Sequence, residues 1–282
     1  MLARVRLLCG GCLGASVAKN YASSMAAAPL TADDFKIAPY SVLGTRLSSD
    51  GVMRDAAPPP STGECAFVDP AGLPYIQRFG PSGAGGAAGA IYKFLKINFD
   101  DEFPPEVVAA VTRTGHAKAH QYSSATCIHV VGPDFNQGRS ETYEEATEAL
   151  AEAYTNVLIE FDKCEEPELR LLPISGGIFA GPFRDKMPAL TRDAIAMACD
   201  KLDGEVAQRL ASDKRITMCI FAEAEWAEFG EHFQVDTRIT PVVAPTEIKI
   251  AESLPPVGAR SSSGAVGPYV KLRVSRLGQL PW

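Results

Sequence analysis

The residues best suited to chemistry in this chain are ones with almost no side chain. Gly80-Pro81-Ser82-Gly83-Ala84-Gly85-Gly86-Ala87-Ala88-Gly89-Ala90-Ile91 holds five glycines and four alanines and carries no charge. Glycine loses more conformational freedom on folding than any other residue, so such a run needs a reason. Close approach of an anion supplies one, because bare successive N–H groups can converge on a phosphate. The apolar Ile91, Phe94, Leu95 and Ile97 follow, so the loop is expected to run into a short helix or turn. A helix N-terminus there would add its dipole to the anion site. A flexible linker is the alternative, but linkers are Ser/Gly-polar and lack flanking apolar periodicity.

Two nucleotide motifs fail on spacing. A Walker loop ends in Gly-Lys-Ser/Thr, and no such triplet is present here. A dinucleotide fingerprint needs Gly-x-Gly-x-x-Gly directly after a strand. From Gly83 the pattern runs Gly83, Gly85, Ala88, with Pro81 where the strand should end. The glycine loop alone therefore says phosphate or tight backbone. A second such loop, Ser175-Gly176-Gly177-Ile178-Phe179-Ala180-Gly181-Pro182, lies further along.

The elements that must position these loops read as an α/β alternation. Cys65 to Val68 is a short apolar run of buried-strand type, ending in the turn-forming Asp69-Pro70-Ala71-Gly72. Val107 to Val111 reads as a strand or short helix. Ala125 to Val131 is the clearest strand, stopped by Gly132-Pro133. Residues 141–163 read as a helix, with Ala146, Leu150, Ala153, Val157 and Phe161 at three- and four-residue spacing and glutamates in the first turns. Leu169 to Leu172 is a strand. A helix near Pro188 carries Leu190, Ala194, Ile195 and Ala198. Ile216 to Phe221 is a last buried strand, and Glu223 to Phe233 a last short helix. Residues 33–63 are weakly patterned, with a strand offered by Phe35, Ile37, Tyr40, Val42 and Leu43. Such an order makes an α/β domain with short connections.

Bulk properties narrow the function class. The 282 residues are 46% hydrophobic and 22% charged, an ordinary composition able to bury a core. A net charge of −7 disfavours binding to a nucleic-acid backbone. No apolar run reaches bilayer length. The seven cysteines are odd in number and scattered, and only Cys9 and Cys12 form a Cys-x-x-Cys, with no second pair to complete a zinc site. Free thiols in a reducing compartment are expected, and no metal. Residues 1–32 carry Arg4, Arg6 and Lys19 but no acid, the composition of a mitochondrial targeting peptide. A short secretory core and a cytoplasmic start at Met25 are alternatives. The folded domain is placed at 33–240, and the Pro/Ser-rich 241–282 is expected to be largely extended, with Tyr269 to Val274 as a candidate edge strand.

Three pieces in order carry a resemblance. They are Gly85-Gly86-Ala87-Ala88-Gly89-Ala90-Ile91, Cys127-Ile128-His129-Val130-Val131-Gly132-Pro133 and Pro173-Ile174-Ser175-Gly176-Gly177-Ile178-Phe179. Over residues 64–233 the chain resembles the macrodomain family, whose members bind ADP-ribose. The resemblance implies a three-layer α/β/α fold with a mixed central sheet. It implies two loops gripping a diphosphate through backbone N–H groups, Phe179 against the distal ribose, and Ile91 and Ile178 walling the cleft. His129, inside a strand, reads as structural. ADP-ribose or an ADP-ribosylated protein would be the ligand, with no cofactor, nucleic acid or membrane.

The departures from that pattern fall on polar side chains. Where many members carry Asn-Ala-Ala-Asn, this chain has Asp69-Pro70-Ala71-Gly72, so the ribose-reaching Asn becomes Gly72. The catalytic Asp of the hydrolysing branch aligns with Ala88, and the His after Gly-Ala-Ile with Tyr92. For the acid that holds the adenine amine, Asp55 is the candidate. Three functions are compatible with this pattern: binding of ADP-ribose or a related nucleotide diphosphate; hydrolysis of ADP-ribosyl esters or O-acetyl-ADP-ribose, with the substrate's own phosphate orienting water; and a degenerate domain retained as a protein-interaction module.

Overall fold

A computed structural model describes residues 28–136 and 141–238. The readings of most of residues 1–32, of Cys9 and Cys12, and of the tail from 241 onward lie outside the described residues. Leu30 and Ala32 are already packed in the core, and Leu30 N donates to Ala207 O at 3.2 Å.

Among the described residues nine strands form two sheets. They are β1 (Lys36–Ala38), β2 (Thr45–Leu47), β3 (Met53–Asp55), β4 (Cys65–Pro70), β5 (Ala117–Gln121), β6 (Thr126–Val130), β7 (Glu168–Leu171), β8 (Arg215–Cys219) and β9 (Gln234–Val235). The main sheet has seven strands in the order β5-β6-β4-β7-β8-β1-β9. All neighbouring pairs are parallel except β5 with β6. The second sheet is the antiparallel hairpin β2–β3. The helices are α1 (Gly86–Leu95), α2 (Pro105–Ala110), α3 (Tyr143–Asp162), α4 (Met187–Lys201), α5 (Gly204–Asp213) and α6 (Trp226–Gly230).

Strand side chains alternate between two faces, and the two faces meet different helices. Ala66, Val68, Ile128, Val130, Leu169, Leu171, Ile216 and Met218 pack with the apolar stripes of α3 and α4. Phe67, Cys127 and Cys219 pack on the other side with Ile91, Tyr92 and Leu95 of α1 and Val107 of α2. The result is a three-layer α/β/α arrangement around a mixed sheet. β4 and β6 are fully buried for at least their first five residues, which explains their near-continuous apolar runs. α3 starts at a reciprocal cap in which Glu145 N donates to Thr142 Oγ1 at 3.2 Å and Thr142 N donates to Glu145 Oε2 at 2.8 Å.

Several expectations are corrected or made specific. Asp69 and Pro70 are the last residues of β4, and the turn starts on them: Ala71 N donates to Asp69 O at 2.9 Å, and the chain then enters a single π-helical turn, Tyr75–Phe79. Of the two readings of Val107 to Val111, strand or short helix, the helix agrees with α2, which begins after Pro104 and carries Pro105 at its first position. The segment from Glu223 is a 3-10 turn followed by the short α6. β5, the hairpin β2–β3, α5 and β9 are additional elements. β5 has a weak strand composition and is an edge strand. Glu160 of α3 covers it, accepting from Ala119 N at 3.0 Å and from Lys118 Nζ at 3.3 Å.

Candidate functional site

Three adjacent parallel strands, β6, β4 and β7, end on the same edge of the sheet. The glycine-bearing segments follow β4 and β7, at the carboxyl ends where α/β sheets place ligands. Loop A is Gly83–Gly85 together with the first turn of α1; loop B is Ser175–Phe179.

Loop A merges into α1 earlier than a separate loop would. Gly86 is already the first helical residue and Gly85 is the N-cap, with no side chain to cap the free N–H groups. These amides face solvent as an uncapped helix start. Beside them lies an open hollow of about 730 Å³, whose lining includes Gly83, Gly85, Gly86, Gly89, Lys93 and Phe94. No loop B residue lines this hollow. A second hollow, about 520 Å³ along α3, has three glutamates, Glu145, Glu148 and Glu152, against one lysine, Lys201, in its lining, a net negative surface that disfavours phosphate.

Loop B is tied down by its carbonyls. Gly177 O accepts from Ala180 N at 3.2 Å and from Arg184 Nη2 at 3.3 Å. Ile178 O accepts from Asn136 Nδ2 at 2.6 Å, and Phe179 O from Phe135 N at 3.0 Å. Among the described residues the N–H groups of Gly177, Ile178 and Phe179 donate no hydrogen bond. Ser175 has φ 61, a left-handed conformation unusual for serine, and its buried hydroxyl donates to Pro133 O at 2.6 Å. Gly132 permits this contact: a Cβ there would sit 2.5 Å from Ile174 Cγ2 and 2.6 Å from Ser175 Oγ. The loop after β6 therefore presses directly on loop B. Gly177 faces open space, with nothing within 4 Å of a built Cβ.

The remaining sequence candidates are distributed differently. Ile178 is 49% exposed and Phe179 half-buried, both on the loop surface. Ile91 is 1% exposed and sits in the core between α1 and the sheet; it does not line the hollow. Ala87, Ala88 and Ala90 lie in the first turns of α1, and Gly176 N bonds back to Pro173 O at 3.0 Å. Gly72 stands just before the π-helical turn, and Asp55 is exposed at the end of β3.

Asp69 and Tyr92 are inside the protein. Asp69 Oδ2 lies 2.7 Å from Nδ1 of His129, and His129 Nε2 lies 2.9 Å from the Tyr122 hydroxyl. Asp69 and His129 are both fully buried. Among the described residues Asp69 Oδ1 and the Tyr92 hydroxyl have no partner of normal hydrogen-bond geometry, although burial and then the Asp69 charge push the Tyr92 phenol upward. Burial likewise raises Tyr122, with Cys127 and Asp69 adding to it. The bonded groups Asp69, His129 and Tyr122 tie β4 to β6 and to the residue after β5, so the contacts of His129 are internal ones. Sequence reading missed Asn136, Arg184 and Tyr122. The only local signal for Asn136 is the Asp134-Phe135-Asn136 spacing typical of a side-chain-supported turn.

Among the described residues no group of three or more His, Cys, Asp or Glu side chains is arranged to hold a metal ion. No described helix is long and apolar enough to cross a membrane. Cys65, Cys127, Cys164, Cys199 and Cys219 are free thiols.

Comparison with protein-family models finds no match, and comparison with curated proteins finds none either. Solved structures do align. A macrodomain of Oceanobacillus iheyensis with ADP is 20% identical, with a TM-score of 0.41, covering 61% of this chain and 84% of that one. A Trypanosoma brucei macrodomain in complex with ADP-ribose is 16% identical, with a TM-score of 0.38, covering 68% of this chain and 78% of that one.

Proposed function

We propose that this protein binds ADP-ribose, or a related nucleotide diphosphate, through the backbone amides of loops A and B. One observation carries the reading. Loop B has all three carbonyls from Gly177 to Phe179 engaged from behind, while among the described residues their three N–H groups donate no hydrogen bond. Such an arrangement favours an anion, which accepts several hydrogen bonds at once without a side chain intervening. The uncapped start of α1, on the neighbouring strand's connection, offers the same chemistry. Lys93 and Arg184 supply positive charge beside the two loops. Phe179 is the ring that packs against a ribose. An ADP-ribosylated protein would present the same group.

Hydrolysis draws less support from the residues present. Asp69 and His129, an acid and an imidazole near the ends of β4 and β6, are buried and bonded to each other. Neither is open to take a proton from water. Isothermal titration with ADP-ribose tests the binding reading. Saturable heat with a thermal shift is the expected result; no heat and no shift at millimolar ligand rejects it.

A further inference from the structure

We infer that Asn136 is a positioning residue for the anion-binding face of loop B. The inference rests on the binding reading above. A peptide unit is planar and trans, so the carbonyl of one residue and the N–H of the next point in opposite directions. Holding the Ile178 carbonyl therefore aims the Phe179 N–H the other way. Asn136 does the holding at 2.6 Å, the shorter of the two side-chain bonds made to a loop B carbonyl.

The chemistry of the contact identifies the donor. Both partners of the Asn136 amide, Ile178 O and Asp134 Oδ1, are acceptors, so the NH₂ group must face them. Its two hydrogens are thus both used, one at 2.6 Å on loop B and one at 2.9 Å on Asp134. Asp134 Oδ1 also accepts from Asn136 N at 3.0 Å, which locks the side chain in this orientation. The next residue back, Phe135, donates its N–H to Phe179 O. Two consecutive residues of the loop after β6 thus hold two consecutive carbonyls of loop B. Asn136 is exposed and belongs to neither core cluster, so its contribution is to orientation and not to packing.

The test compares ADP-ribose titrations of wild type, Asn136→Ala, Asn136→Asp and Asn136→Gln, each with a melting temperature and amide NMR spectra of the free protein. Turning the Phe179 N–H away from the anion weakens one hydrogen bond to it and predicts about a five- to tenfold weaker affinity for Asn136→Ala. Asn136→Asp sets a carboxylate against a carbonyl and Asp134, and should be weaker still. Asn136→Gln keeps an amide donor and should recover part of the loss. The Ile178 and Phe179 amide signals should move, while those of Val130 and Leu171 stay, with melting lowered by no more than the loss of one exposed hydrogen bond. Equal affinity of Asn136→Ala and wild type overturns this inference alone. An affinity loss that only follows a fall in melting temperature also overturns it. Absence of binding by the wild type removes the binding reading and this inference with it.

Discussion

Asp69 Oδ2 and His129 Nδ1 lie 2.7 Å apart, with both side chains wholly buried between the sheet and α1. The two residues come from neighbouring parallel strands and are Cα partners in the ladder, so the contact is set by strand register. His129→Leu would leave the Asp69 carboxylate buried without its imidazole. The expected cost is about 3–5 kcal/mol of unfolding free energy, as for a buried pair broken on one side. Denaturant unfolding measures it; a loss below about 1 kcal/mol would show that the pair does not hold this region together.

The glycines of the two loops separate into testable and untestable positions. Gly85 has φ −110, and neither Gly85 nor Gly177 has a heavy atom within 4 Å of a built Cβ. Gly85→Glu and Gly177→Glu should therefore fold. Each places a carboxylate against the diphosphate and should weaken ADP-ribose binding about a hundredfold or more. Gly86 has φ 58, so a side chain there strains the backbone and confounds the measurement. Ser82→Glu is the control, with a smaller effect. Equal titrations of wild type and both folded mutants would place the ligand elsewhere.

Arg184 contributes charge at longer range. Its guanidinium lies 3.3 Å from Gly177 O, on the carbonyl side of loop B. Across several ångströms of water the attraction to a phosphate is about 0.5–1 kcal/mol, or two- to fivefold in affinity. Arg184→Gln should lose that factor at low salt and show no loss at high salt. A salt-independent effect would mean that the side chain acts by shaping the loop.

Glu160 makes stability sensitive to acid. Burial raises its carboxyl, but the Ala119 N–H and then Lys163 and Lys118 outweigh this, leaving it below the ordinary glutamate value. A lowered folded-state pKa means that the stabilisation is present above the unfolded value and is lost as pH falls through the folded one. Glu160→Gln should thus melt below wild type at pH 7, with the difference closing as pH falls below about 4. A difference constant with pH would show that the charge is not the source.

Local chemistry was enough to identify the helix over residues 141–163 and the strands of the sheet centre, but not that α1 begins at Gly86, inside the glycine run. The legible signals are short-range: three- and four-residue apolar spacing, and β-branched runs stopped by Gly-Pro. β5 escaped because Ala117-Lys118-Ala119-His120-Gln121 has little strand preference of its own. It is a strand because β6 pairs with it and Glu160 covers its edge. Asp69 reads as part of a turn, and it also belongs to a buried strand, where His129, 60 residues away, meets one of its carboxylate oxygens. Ile91 looked like a cleft wall, but the face of α1 that carries it turns toward the sheet. The front and back of loop B were likewise invisible in its own residues. They depend on Asn136 and Phe135 reaching carbonyls more than 40 residues further on, a contact created when β4 pairs with both β6 and β7 and brings the loops beyond them together. Backbone preferences act over a few residues, whereas the direction in which an amide points is decided by whatever the fold places behind its carbonyl.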